Sequence, residues 1–513
     1  MKKRYSVIII LMLLVGLGSC DLMNRIDEIE PKHQQELGNV MTDSASAESL
    51  LRNVYQQWRG GGIARSQMYM SLMSGALVKG QGNVLVNGVD YQENKVKAED
   101  LTVGEMYKDY YKVINIANVV IELLEQNMAP DLSVKRKEEM IAECKFHRAM
   151  AHFGLLRSFG QFYDMNSRFG IVVRETSYPS RPVAQARASV KDVYTSVLND
   201  LKYAVEKAPK NIAPDKHYYI SRLTAKALKT KVLLCMGNYP EAESVAGEVI
   251  REASGYGYEL EEVYDNVFVN SFNSKEVLFA TYCFGMTELG SNEFSYNTTY
   301  GSYTEQISLD PDFEGEPSLD SGEGYDWRFG YAYNMFGPDL GGNGGSGGDV
   351  EWGGDVEGYT LARSGVSRGG DNVQARTNNK YPYPDMVAGR KGNTVFFLRL
   401  AEMYYIHAEA AIRNGNYDPA RSSLKSVLTN GRTSLDIDVD AVPDNALLEF
   451  TRKNKWIELF AENNEEWFDM VRYYKAGDLN ITSIKGTITK DNQLILPLPK
   501  EALAGNNLLE VNP

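Results

Sequence analysis

The chain has 513 residues, 43% hydrophobic and 24% charged, enough to bury a large core, and its formal net charge is −14. No Lys/Arg-rich run stands out beyond the first few residues, which disfavours a nucleic-acid partner, because phosphate binding needs concentrated positive charge. Tyrosines number 32 against 18 phenylalanines, and a flat apolar ring with a hydroxyl suits wet binding surfaces as well as half-buried packing.

Lys2, Lys3 and Arg4 precede the apolar run Val7 to Val15, too short to span a bilayer, so residues 1–19 read as a signal peptide. Leu17-Gly18-Ser19-Cys20 has the form of a lipobox, with Cys20 lipidated as the new N-terminus. The alternative is an ordinary signal peptide with an incidental cysteine. Residues 20–41 lack periodicity and read as the lipidated cysteine and a tether. The remaining Cys144, Cys235 and Cys283 are odd in number and cannot complete a disulfide framework.

Residues 42–254 read as an N-terminal helical scaffold. Ser44 or Ser46 is placed to cap a helix carrying Leu50, Leu51, Val54, Tyr55 and Trp58. Residues 60–100 are rich in Gly, Asn and Gln and read as an irregular loop, the first candidate ligand surface, with Tyr69, Asn83 and Tyr91 as its binding residues. Met106 to Leu124 and Lys135 to Phe159 form a long antiparallel helix pair. His147 and His152 are five apart on the second, not the three or four of a metal-binding pair, so they read as packing or surface residues. Ser189 caps the next helix, and Ser221 to Glu252 forms a helical hairpin around Gly237-Asn238-Tyr239-Pro240-Glu241-Ala242.

Over residues 255–393 the helical period disappears, apart from the strand pattern Glu276 to Cys283, and Gly, Asn, Ser, Asp and aromatics dominate. This loop and β insertion is the second candidate ligand region. Rings beside amides suit carbohydrate, whose apolar face stacks while fixed polar groups bind its hydroxyls. Tyr296, Tyr300, Tyr303, Trp352 and Tyr359 are the candidates, Trp352 being either a platform or a loop anchor, while Trp327 reads as structural. The G-x-S-x-G matches at Gly344 and Gly365 and the G-x-G-x-x-G match at Gly342 lack a strand and helix around them, so they carry no chemistry. Asp310 to Gly315 begins like a calcium loop, but its twelfth position is Ser321, and Asp436, Asp438 and Asp440 alternate. Both read as solvated acidic loops, so no cofactor is expected, calcium being the one left open.

Residues 394–513 return to helices and close in an extended tail. Leu398 to Ala420 places Leu400, Ala401, Tyr404, Ala408 and Ala411 on one face, half of it alanine, which lets a partner helix approach closely. Gly415-Asn416-Tyr417-Asp418-Pro419-Ala420 then repeats the turn at Gly237, and the matched hairpins read as tetratricopeptide-like. The fold expected is therefore mostly α, a helical-repeat scaffold with a large irregular insertion.

Taken in order, the lipobox, IAECKFHRAMAHFGLLRSFGQ, SVKDVYTSVLNDLKYAVEKAP, SRLTAKALKTKVLLCMGNYPEA, LRLAEMYYIHAEAAIRNGNYDPA, EWFDMVR and the ending Pro497-Leu498-Pro499-Lys500-Glu501 resemble the SusD/RagB family of surface lipoproteins. Asn454-Lys455 stands where that family usually has Glu-Arg, and Asn463 to Glu466 where it has Gly with a following Arg. The resemblance implies an outer-membrane lipoprotein facing outward that captures a nutrient, usually an oligosaccharide, for a SusC-like TonB-dependent transporter, with no reaction of its own. A RagB-like peptide-binding protein, a surface glycoside hydrolase using Asp310, Asp312, Glu314 and Glu316, and a protein scaffold without small ligand are the alternatives.

Overall fold

The computed structural model describes residues 40–75, 87–179, 183–210, 216–283, 394–433, 437–459 and 461–513, together with Arg328 and short strands between. Helix α1 (Ser44–Gln57) is capped by Asp43 rather than Ser44, with Ser46 at the third helical position completing a reciprocal capping box. Residues 60–100, expected as loop, instead contain the 14-residue helix α2 (Gly61–Ser74) and the short α3 (Gly88–Gln92). Ile63, Ala64, Tyr69, Met70, Leu72 and Met73 are all buried, so α2 lacks the polar face that makes a helix legible by period.

Helices α4 (Leu101–Glu125) and α5 (Val134–Phe159) form the expected long pair, capped by Asp100 and Ser133. Helix α6 (Val190–Lys207), with Ser189 as cap, packs on α5, and α7 (Arg222–Cys235) packs on α6 and on α8 (Tyr239–Glu252). The stack then continues, across a long gap in sequence, from α8 to α10 (Leu400–Arg413) and from α10 to α11 (Tyr417–Val427) and α12 (Asp444–Leu459). Each helix mainly meets its neighbours in the series, as in a helical-repeat body. Short α9 (Asn266–Asn270) precedes the strands, and α13 (Glu465–Ala476), α14 (Ile481–Ile484) and α15 (Lys500–Gly505) follow α12.

The two matched turns are the same device. Gly237 N–H bonds Leu234 O at 3.0 Å and Asn238 N–H bonds Leu233 O at 3.0 Å; Gly415 and Asn416 do the same to Ile412 and Ala411 at 3.0 and 2.8 Å. Both glycines have positive φ, 75° and 79°, as this helix ending requires of its left-handed residue. The hairpins also touch: Asn414 and Asn416 side chains donate to Glu243 of α8 at 2.6 and 2.9 Å. Ala401, Ala408 and Ala411 are fully buried against α11, so the alanine face is a close-packing surface as the pattern indicates.

Strand β1 is Val78–Lys79, β2 Val277–Ala280, β3 Ile307–Ser308, β4 Tyr333–Met335, β5 Gly353–Val356, β6 Tyr359–Leu361, β7 Arg376–Asn378 and β8 Phe396–Arg399. β2 and β8 pair antiparallel with both faces buried, and close the base of the segment between Cys283 and Thr394. A four-stranded sheet in the order β1-β3-β7-β4 joins the first irregular region to this second one, and β5 pairs with β6. The tail of the chain straps back over the helices: Leu496 N–H bonds Ser158 O at 2.8 Å and Arg187 donates to Asn512 at 2.7 Å.

A knot of buried charge ties these parts together. Glu276 precedes β2, Arg399 ends β8, Glu458 lies in the last turn of α12 and Glu462 in the turn that follows it. Arg399 bonds Glu276, Glu458 (3.0 Å) and Glu462 (2.6 Å), and Arg432 bonds Glu276 and Glu458, each at 2.6 Å. Arg328, from between the strands, reaches Glu458 at 3.3 Å, Asn454 at 2.9 Å and the Tyr405 hydroxyl at 2.9 Å. All these side chains are buried. Burial drives the Arg399 pKa down, and its three glutamates more than offset this and hold it above its ordinary value. A second set links Lys231 to Glu402 and Glu465, Arg157 to Glu465, and Lys455 to Asp469, all within 2.7–2.8 Å. Asn454 and Lys455 thus both have partners. The turn between α12 and α13 places Ala461, Asn463 and Asn464 at positive φ without a glycine.

His147 and His152 are packing residues. Trp58 Nε1–H donates to His147 Nδ1 at 2.9 Å, and Arg174 N–H donates to His152 Nε2 at 3.1 Å. Burial holds each neutral, with the pKa pressed down to about 3. Cys144 and Cys283 are buried and Cys235 half-buried, and none of the three is in a disulfide. Asp438 caps a short turn and Asp440 pairs with Lys425, which accounts for two of the three alternating acids.

Two outcomes follow from these buried groups. Glu458→Gln leaves three arginines around two carboxylates and is expected to cost about 3–5 kcal/mol in urea unfolding. Glu93→Gln, at the exposed Lys95 pair, should leave the urea midpoint essentially unchanged; equal costs would deny the knot its structural role. For the histidines, the unfolded chain binds protons below its ordinary pKa of about 6.5 that the native state refuses. Stability is therefore complete above about 6.5 and is lost as pH falls toward about 3. His147→Gln should lower the slope of stability against pH, between 6.5 and 5, by about 1.4 kcal/mol per pH unit; an unchanged slope would contradict the neutral buried assignment.

Candidate ligand site

Two residues expected at a ligand surface are core residues instead. Tyr69 and Tyr91 are 4% and 1% exposed, with ring centroids 4.4 Å apart. The Tyr91 hydroxyl donates to the α4 cap Asp100 at 2.7 Å. Burial raises both phenol pKa values. They dock α2 and α3 onto α4, and helix packing leaves them no open face. Asn83, Tyr296, Tyr300, Tyr303, Trp352 and Cys20 lie outside the described residues, as do the acidic run at Asp310 and the glycine-rich motifs. Tyr359 opens β6, in register with Val356.

The described residues do bring together a cavity that motif reading missed. It has a volume of about 280 Å³ and lies beside the point where β2 runs out toward Cys283, near the lower end of small-molecule sites. Three segments build it. Helix α1 contributes Arg52, Tyr55 and Gln56, spaced to share one helix face, and the turn just past its end contributes Trp58 and Arg59. The segment leading into α7 contributes Tyr218 and Tyr219, and the end of β2 contributes Phe279, Thr281 and Tyr282.

Its rings form a continuous chain. Tyr282 meets Tyr218 at 4.8 Å between centroids, Tyr218 meets Tyr219 at 4.9 Å, and Tyr219 meets Tyr55 edge-on at 4.9 Å. Tyr55 lies edge-on to His147 at 4.2 Å, and Phe279 stacks on Phe397 of β8. Tyr55 is tethered from behind: its hydroxyl donates to Glu143 at 2.5 Å, and Glu143 accepts from Arg136 at 2.8 Å. Burial, then Glu143, pushes the Tyr55 phenol well up, so it is a fixed donor. Thr281 accepts from Val395 N–H at 3.1 Å, which anchors the strand end. Tyr218, Tyr219 and Tyr282 are half-buried while Arg52 and Gln56 are exposed. The arrangement offers ring faces flanked by guanidinium and amide groups, over a floor of Trp58 and Phe279.

The signal for these residues was present but faint: the doublet Tyr218-Tyr219 in a short linker, and Tyr282 at a strand end. Among the described residues no group of His, Cys, Asp and Glu is placed to hold a metal ion, and no helix is long and apolar enough to cross a membrane.

Comparison with known proteins places this geometry. Residues 26–234 match a family model described as starch-binding, associating with outer membrane, and residues 285–512 match the SusD family model. A SusD-like protein of Bacteroides ovatus is 27% identical over 198 residues, 36% of this chain. The match spans only 34% of that relative's length. A SusD superfamily crystal structure from Bacteroides thetaiotaomicron superposes with a TM-score of 0.71 at 20% identity, over 92% of this chain and all of that one. A SusD-like carbohydrate binding protein from Bacteroides vulgatus superposes at 0.61 with 17% identity, covering 84% and 83% of the two chains. With a helical-repeat body, the inserted strands between α8 and α10 and these matches on both halves, the chain belongs to the SusD/RagB family.

Proposed function

We propose that this protein is a non-enzymatic, cell-surface nutrient-binding lipoprotein, anchored to the outer membrane through Cys20, that captures oligosaccharide and passes it to a SusC-like TonB-dependent transporter. The observation that carries the reading is the tyrosine-lined cavity between α1, the α7 approach and the end of β2. Ring faces beside Gln56 and arginine side chains match the chemistry of a sugar, apolar on its faces and polar at its edges. Family membership supports it, as does the carbohydrate-binding description of a structural neighbour. Trp352 and the Tyr296–Tyr303 stretch, which belong to the segment between Cys283 and Thr394, are proposed as further sugar-binding residues on their residue types alone.

Isothermal titration of the purified protein against plant and host oligosaccharide pools tests this, with a peptide pool in parallel. Saccharide binding is expected, without release of cleaved product, and Tyr219→Ala should weaken it roughly tenfold. Binding of peptides alone, or turnover of the saccharide, would overturn the proposal.

A further inference from the structure

We infer that His217 is a positioning residue of the cavity: standing behind the ring faces, it sets where Tyr218 and Tyr219 lie against β2. This rests on the carbohydrate reading just proposed. His217 is 2% exposed and directly precedes the two tyrosines, which line the cavity while it does not. Its Nδ1 lies 2.7 Å from the Ser274 carbonyl oxygen, and a carbonyl only accepts, so Nδ1 carries the proton and donates it. Its own carbonyl accepts from the N–H of Ala280, a lining residue, at 3.3 Å. One residue thus joins the tyrosine turn both to the segment before β2 and to the end of β2. The other side of the turn is held as well. Tyr219 N–H donates to Lys216 O at 2.9 Å, and Ile220 N–H donates to the Tyr55 hydroxyl on the α1 wall at 3.3 Å.

The acceptor of the His217 bond is itself fixed. Ser274 is fully buried, its hydroxyl donates to Glu261 Oε1 at 2.7 Å, and Glu261 N–H donates to Glu276 Oε2 at 3.0 Å, inside the knot of buried charge. Ser274 N–H also closes a turn onto Ser271 O at 3.1 Å. Ser271 stands at φ 54° and ψ −132°, a conformation natural to glycine that a residue with a side chain keeps only where its surroundings over-determine it. The same turn carries Phe272, whose ring backs Tyr218 at 5.7 Å and Tyr282 at 5.0 Å between centroids. From Glu276 through Glu261 and Ser274 to His217, directional bonds therefore carry the position of the knot to the tyrosine pair. Stacking on a sugar depends on that position, because a ring displaced or turned loses the contact.

The test titrates the wild-type protein and its variants with the plant and host oligosaccharide pools, and follows thermal unfolding in parallel. His217→Leu removes the donor and should weaken saccharide binding roughly tenfold. His217→Gln, whose amide lies farther from the backbone than Nδ1, should weaken it as well. His217→Asn, whose amide nitrogen falls near the place of Nδ1, should restore binding to within about threefold of wild type. His152→Leu is the control for stability: His152 is buried too, bonds a backbone N–H and lies outside the lining, so its loss should lower the thermal midpoint with binding unchanged. Wild-type affinity in both His217→Leu and His217→Gln, whatever their midpoints, would overturn the inference and leave the carbohydrate reading standing. Equal weakening in His217→Asn and His217→Gln would overturn it too, and that pair decides the question even where His217→Leu does not fold. Absence of saccharide binding in the wild type would overturn both.

Discussion

The structure turns on a group of charges that water cannot reach. Arg399, Arg432 and Arg328 meet Glu276, Glu458 and Glu462 in the interior. Unpaired, each buried ion would cost several kcal/mol; together they satisfy one another, and the number of positive and negative groups balances. Position matters more than strength here. Glu276 and Arg399 bracket the two strands that close the base of the inserted segment, Glu458 comes from α12 and Glu462 from the turn after it, and Arg328 comes from within the insertion. One set of directional bonds therefore fixes where the chain leaves the helical body, where it returns, and a point between. An apolar core tolerates sliding; a guanidinium shared among three carboxylates does not.

That constraint reaches the ligand cavity through β2. Glu276 sets the start of the strand, Thr281 and Val395 lock its end, and Phe279 and Tyr282 are thereby carried to the cavity wall. The facing wall is held by a separate device, in which Arg136 and Glu143 fix Tyr55 on α1. Ring faces held at both walls lose little freedom when a ligand arrives, which favours capture without rearrangement of the scaffold.

Much of the helical body was legible because its signals are local. The Gly-Asn-Tyr turns spell out a backbone need for a left-handed residue and a bond back over the last helical turn, and both appear at Gly237 and Gly415 as read. Ser189 and Ser221 cap helices for an equally local reason. Helix α2 was not legible, because its residues are buried on nearly every side and have no period to show. Tyr69 and Tyr91 misled for the same cause: composition marks a tyrosine but not whether a neighbouring helix covers it. The cavity was the hardest to see. Its walls come from residues near 52–59, 218–219 and 279–282, and only the three-dimensional path of the chain makes them neighbours. The partners of Arg399, distant in sequence at Glu276 and Glu462, escaped notice for that reason too.

The central claim is that ligand enters the tyrosine cavity at the root of the insertion. Backbone hydrogen exchange, with and without a saturating mixed oligosaccharide pool, tests it most directly. The account predicts slowed exchange at 52–59, 216–220 and 279–283 together, because one bound molecule would touch all three segments. Slowed exchange elsewhere, with those three segments unchanged in the presence of bound sugar, would contradict it.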